Sequence, residues 1–98
     1  MRQVGELLIG ADHPALPGHF PGRPIVPGVV ILDEILALLA VDYPGSVVTL
    51  PQVKFMRPVL PGQRIAVAAA QTSPGRISFL ATVDGQDVVR GTAALTRQ

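Results

Sequence analysis

The chain has 98 residues, of which 48% are apolar, 15% are charged and none is cysteine, and its formal net charge is +1. One domain spanning 1–98 is expected at this length, with a modest core, because a chain of this size buries only about 60 to 68% of the surface it exposes when unfolded. The scattered charges exclude a basic stripe for nucleic acid, and the lack of cysteine excludes a disulfide framework, a thiolate nucleophile and Cys-ligated zinc, a composition that suits a reducing cytoplasm.

In chain order, the opening MRQVGELLIGAD has Glu6 inside a short apolar run and lacks the apolar core of a signal peptide. Val4 to Ile9 suits a first strand. From Ala11 to Gly28 the character changes, with five prolines and three glycines. Proline fixes φ and restricts the residue before it, so this loop loses little entropy on folding and can hold side chains in place. Pro27 suits a helix start, and VVILDEILALLAV after Gly28 has helix length until Pro44 and Gly45 stop it. The stretch Val29 to Val41 carries Asp33 and Glu34 and is too short for the roughly 20 residues that cross a bilayer. Being apolar nearly all round, it reads as a helix buried on most sides and wrapped by a sheet.

The sheet follows. Val47 to Arg57, Ile65 to Thr72, Arg76 to Val83 and Val88 to Thr96 are β-branched or alternate in polarity. Pro61-Gly62, Ser73-Pro74-Gly75 and Asp84-Gly85 separate them, the last two suiting antiparallel hairpins. Ile77, Phe79, Ala81 and Val83 share the face expected against the helix. Ala66, Ala68 and Ala70 would let another surface approach closely. With charged residues well below the roughly 25% of a typical domain, some apolar surface is expected in a subunit interface.

Three features could carry chemistry. Asp33 and Glu34 are carboxylates in an apolar helix, where an unpaired buried charge is costly. They are about 100° apart around the helix, so at most one faces a given pocket, and a structural ion pair or plain exposure explains either as readily as catalysis. His19, within GHFPG, can exchange a proton near neutral pH, although most loop histidines only bond locally. Gly28 opens the helix, where free N–H groups and the helix dipole favour negative charge and the missing Cβ permits close approach of an oxygen. His13 reads as a loop residue beside Asp12. A metal site from Asp12, His13 and His19 is disfavoured, since their spacing matches no familiar ligand pattern.

The string GHFPGRPIVPGVVILDE resembles the active-site segment of the bacterial 3-hydroxyacyl-(acyl carrier protein) dehydratases, and VKFMRPVLPGQRI resembles the strand and turn that follow it in that family. The resemblance implies an α+β hot-dog fold, a curled antiparallel sheet of about five strands around one helix in the order β-α-β-β-β-β. Carried over by position, His19 is the catalytic base and Gly28 the amide that binds the thioester oxygen. Asp33 is the helix acid with Glu34 as its rival, and Ile25 offers its carbonyl to His19. Phe20, Ile31 and Phe55 line an acyl channel, and Pro27 precedes the binding amide. No cofactor or metal is implied. The expected partners are acyl carrier protein and a second copy, in a homodimer whose histidine and acid come from different subunits. Arg23, Lys54, Arg57 and Arg64 are candidates for carrier docking, against the ordinary reading of solvated surface charges. Fewer residues precede the motif than in these dehydratases, and shortened relatives resemble dehydratase-like proteins of aryl-polyene and polyketide-like pathways. Two other functions fit the same residues: thioester hydrolysis, since this fold also hosts thioesterases, and a non-catalytic subunit that binds the carrier.

Overall fold

The computed structural model describes residues 1–10, 25–44 and 46–97, apart from the side chains of Val47 and Arg97. Within them the order is β1 (Arg2–Leu8), α1 (Gly28–Asp42), β2 (Ser46–Phe55), β3 (Arg64–Ser73), β4 (Arg76–Val83) and β5 (Gln86–Arg97). The five strands form one antiparallel sheet ordered β1-β3-β4-β5-β2. No described helix is long and apolar enough to cross a membrane.

Local chemistry accounts for the connections. Gly75 (φ 76°) follows Pro74 in the β3–β4 hairpin, while Asp84 (φ 51°) and Gly85 (φ 78°) are both left-handed in the β4–β5 hairpin. A two-residue turn with positive φ at both positions matches the right-handed twist of the flanking strands. α1 ends where Tyr43 leaves helical geometry, its N–H still bonded to the Leu39 carbonyl at 3.0 Å, with Pro44 next.

Alternation then builds the core. Ile65, Val67 and Ala69 of β3 and Ile77, Phe79, Ala81 and Val83 of β4 are buried, as are Val89 and Ala93 of β5. The shared face expected of the four β4 residues is therefore the one that packs inward. Ala66, Ala68 and Ala70 are the half-buried alternate residues of β3. Ile31, Ile35 and Leu39 of α1 complete the cluster from one side of the helix. The helix backbone approaches β1 and β2, which are the two edges of the sheet, so the sheet curls around it. Gly5 lets β1 come close: a Cβ there would lie 2.8 Å from Leu38 Cδ2. Arg2 donates to Asp42 at 2.7 Å, joining the start of β1 to the end of α1. That hydrogen bond holds the Arg2 guanidinium above its already high pKa.

Two expectations need correction. The helix is not buried on most sides in the single chain: Val29 is 65% and Val41 78% exposed, while Ala37 and Ala40 are also exposed. A curled sheet of five strands covers only one side of a helical rod, and a nearly uniform apolar sequence does not mark which side stays open. Ile31 does not line a channel. It is 2% exposed and belongs to the core, because its position falls on the same side of the helix as Ile35.

Candidate active site

The start of α1 is held by its surroundings. Pro27 is extended at φ −59°, ψ 142°, and the helix begins at Gly28 with no acidic side chain in its first turn. The Pro27 carbonyl accepts from Val30 N–H at 3.0 Å and from Ile31 N–H at 3.4 Å. The Gly28 and Val29 N–H groups donate to no described backbone carbonyl. They point along the positive end of the helix dipole, an arrangement that can receive a carbonyl oxygen on which negative charge develops. Just upstream, Val26 N–H donates to the Val59 carbonyl at 2.8 Å, which ties the approach to the helix to the segment after β2. Ile25 is half-buried beside buried Val26.

Phe55, the last residue of β2, reaches this helix start. A Cβ built on Gly28 would lie 2.7 Å from Phe55 Cζ and 2.9 Å from Cε1. The tip of the ring thus occupies the space that a side chain at position 28 would need. Phe55 is nevertheless 48% exposed, so the residue is not enclosed at the helix start. Gly28 therefore has two uses for its missing side chain, access to its amide and a seat for the ring.

The helix acids are not buried. Asp33 is exposed and Glu34 half-buried, and neither takes part in an ion pair among the described residues. Plain exposure, one of the alternatives weighed for these carboxylates, is what the single chain shows for Asp33, and the structural ion pair weighed for them is not found among the described residues. Asp33 lies on the open side of the helix with Val29, Ala37 and Ala40, the one charge on an apolar exposed face. Glu34 is turned about 100° away.

His19 and Phe20 lie outside the described residues, as do Asp12, His13 and Arg23. The structure thus brings together Pro27, Gly28 and Phe55, and places Asp33 farther along the same helix. Among the described residues there is no group of three side chains suited to a metal ion.

Of the proposed docking cations, Arg64 lies 3.5 Å from Glu6, while Lys54 and Arg57 are exposed with no ion pair among the described residues. Arg90, which sequence reading did not single out, stands opposite Lys54 in the β2–β5 register, and the two line an open groove of about 440 Å³ together with Asp87. Only strand pairing reveals that juxtaposition, and nothing local in either segment signals it.

A family model described as ApeI-like, ApeI dehydratase, matches residues 2–92. The 3-hydroxyacyl-(acyl-carrier-protein) dehydratase FabZ of Herpetosiphon aurantiacus is 33% identical over 104 residues, covering 93% of this chain and 74% of that protein. FabZ of Roseiflexus castenholzii is 34% identical over 103 residues, covering 92% and 72%. Among solved structures, the dehydratase heterocomplex ApeI:P from Xenorhabdus doucetiae superimposes with a TM-score of 0.82 at 25% identity, over 94% of this chain and 84% of that one. A mutant of the fluoroacetyl-CoA-specific thioesterase FlK gives a TM-score of 0.68 at 15% identity over 95% and 87%, a likeness of fold alone. With the curled five-stranded sheet and its single described helix, these neighbours bear out the expected hot-dog fold.

Proposed function

Because the chain belongs to the ApeI-like dehydratase family, we propose that it removes water from a 3-hydroxyacyl thioester carried on acyl carrier protein, leaving the trans-2-enoyl thioester. The observation that carries the reading is the start of α1: an amide pair with no described backbone acceptor, at a glycine, with a carboxylate farther along the open side of the same helix. In this mechanism the Gly28 N–H binds the thioester oxygen, and the charge that forms there as the C2 proton leaves is stabilised by the amide and the helix dipole. The neutral imidazole of His19 takes that proton, oriented by the Ile25 carbonyl. Asp33 assists departure of the C3 hydroxyl by donating a proton to it; if it is ionised, it orients the leaving group while the His19 imidazolium returns the C2 proton to the departing hydroxyl as water. The C2–H and C3–O bonds break, a C2–C3 double bond forms, and water is the other product. Glu34 is the rival for the acid's role, and Phe20 and Phe55 face the acyl chain.

In the same proposal the site is completed by a second copy of the chain. The exposed face that carries Asp33 also carries Val29, Ala37, Ala40 and Val41 and is apolar enough to be covered. Covering it would place Asp33 out of water, opposite a histidine from the partner. The heterocomplex named above favours a second reading of the assembly, in which the covering surface comes from a different chain; native mass spectrometry of the purified protein separates the two.

The test mixes His19→Ala and Asp33→Ala variants under conditions of subunit exchange. Random exchange makes half the dimers mixed, and each mixed dimer holds one intact site of two, so roughly a quarter of native activity returns. Mixtures that stay inactive refute shared sites. Repeating the experiment with Glu34→Ala decides between the two acids. Hydrolysis is separated from dehydration by product, since hydrolysis frees a thiol that reacts with a thiol dye and dehydration produces an ultraviolet-absorbing enoyl thioester. A chain that only binds the carrier would leave pathway output unchanged after His19→Ala.

A further inference from the structure

We propose that Phe55 selects substrates at C2, admitting thioesters that are unbranched there and refusing those that carry a methyl group; this rests on the dehydratase reading and names the substrate class of the same site. The geometry begins with two anchored backbones. Phe55 is paired with Val89 of β5, and the next residue, Met56, donates to the Val88 carbonyl at 2.8 Å. The approach to Gly28 is fixed by the bond from Val26 N–H to the Val59 carbonyl at 2.8 Å. The ring tip stands 2.7 Å and 2.9 Å, at Cζ and Cε1, from where a Cβ of Gly28 would be. On the helix side the ring tip therefore fills the space beside Gly28 that a side chain there would need.

A substrate oxygen that accepts the Gly28 N–H sits about 2.9 Å from the nitrogen. Its carbonyl carbon is about 1.2 Å farther, and C2 one bond beyond that. The N–H and the missing side chain belong to the same residue, so C2 arrives within a few ångströms of the ring. A CH₂ group can lie against an aromatic ring at the ordinary carbon spacing of about 3.5–4.0 Å. A methyl on C2 would intrude on that spacing or pull the oxygen off the amide. The chemistry itself does not forbid the branched substrate, because its C2 still carries one hydrogen to lose.

The experiment compares kcat/KM for a 3-hydroxyacyl thioester and its 2-methyl analogue, both carried on acyl carrier protein, in the native protein and in Phe55→Ala and Phe55→Leu. The ratio of the two substrates within one preparation does not depend on the fraction of protein that is folded. The native protein prefers the unbranched substrate by about tenfold or more, the order expected when one methyl group meets a fitted wall. Phe55→Ala brings the ratio toward one, and Phe55→Leu falls between. A ratio unchanged in both variants, or a native protein that accepts the two substrates equally, overturns the proposal. A native protein that dehydrates neither refutes the dehydratase reading itself, and this proposal with it.

Discussion

Gly28→Ala is the substitution that separates the two uses of this glycine. An added Cβ lies 2.7, 2.9 and 3.3 Å from Phe55 Cζ, Cε1 and Cε2, all short of ordinary van der Waals contact. Relief requires the ring to swing outward or α1 to shift. Overpacking of this kind costs about 1–3 kcal/mol. Against it stands the advantage of alanine over glycine in a helix, at most about 0.5–1 kcal/mol and smaller in the first turn. The net expectation is a loss of about 1–2 kcal/mol, lowering the melting midpoint by roughly 4–16 °C for a domain of this size. The check is a double-mutant cycle by thermal and urea denaturation with Phe55→Leu as the second change. Leucine is shorter than the ring, so in its presence the alanine has room and Gly28→Ala becomes neutral or slightly stabilising. The coupling energy is then about 1 kcal/mol or more, in the range for residues in direct contact. Equal losses from Gly28→Ala with Phe and with Leu at position 55 would refute the steric account. Activity of the double variant adds a second reading. If it is as stable as the native chain yet inactive, access to the amide matters apart from the seat of the ring.

Three further outcomes follow from the packing. Gly91→Ala costs more stability than Gly5→Ala, because its Cβ meets the Gln52 backbone oxygen and lies 2.8 Å from Phe79 Cζ in the core, whereas that of Gly5 meets the flexible end of Leu38; chemical denaturation of the two variants side by side reveals the order. Ile35→Ala, at a site with no exposure, costs about 2–5 kcal/mol by the same assay. In the β4–β5 turn, Gly85→Ala forces a side chain into φ 78° and costs about 1–2 kcal/mol, while Asp84→Asn, which tolerates left-handed backbone, shifts the melting midpoint little.

Much of this fold can be read from residue chemistry because its signals are local. Pro74-Gly75 and Asp84-Gly85 mark turns through φ values that few other residues adopt, and the observed Gly75, Asp84 and Gly85 angles agree. The alternation in Arg76–Val83 survives into burial because β4 is central in the sheet and one of its faces meets the core. What could not be read is non-local. Nothing in Arg2–Leu8 says that it pairs with β3, or that β2 pairs with β5 past a register shift between Thr49 and Gln52 around Pro51. The helix is instructive in the opposite sense. Its existence was legible because Pro27 and Pro44 bound a run that is apolar apart from Asp33 and Glu34, and its orientation was hard to read for the same reason, since Val29 and Val41 do not differ in kind from the buried Ile31 and Leu39.

The candidate site divides along the same line. The motif places Gly28 at a helix start through the local preferences of Pro27 and Gly28, and the structure puts it there. The contact that gives that glycine its surroundings comes from Phe55, which is 27 positions away in sequence and arrives only because β2 is an edge strand close to α1. The polarity of position 33 carries the more general lesson. A carboxylate in an apolar run suggests a buried charge, yet burial in a single chain would need a partner that the described residues do not supply, and the fold instead leaves Asp33 on the helix face the sheet cannot cover. The energetic conflict visible in the sequence is therefore absent from the isolated chain. On the reading proposed here it is created only when a second surface covers that face, which makes association itself the step that takes the carboxylate out of water.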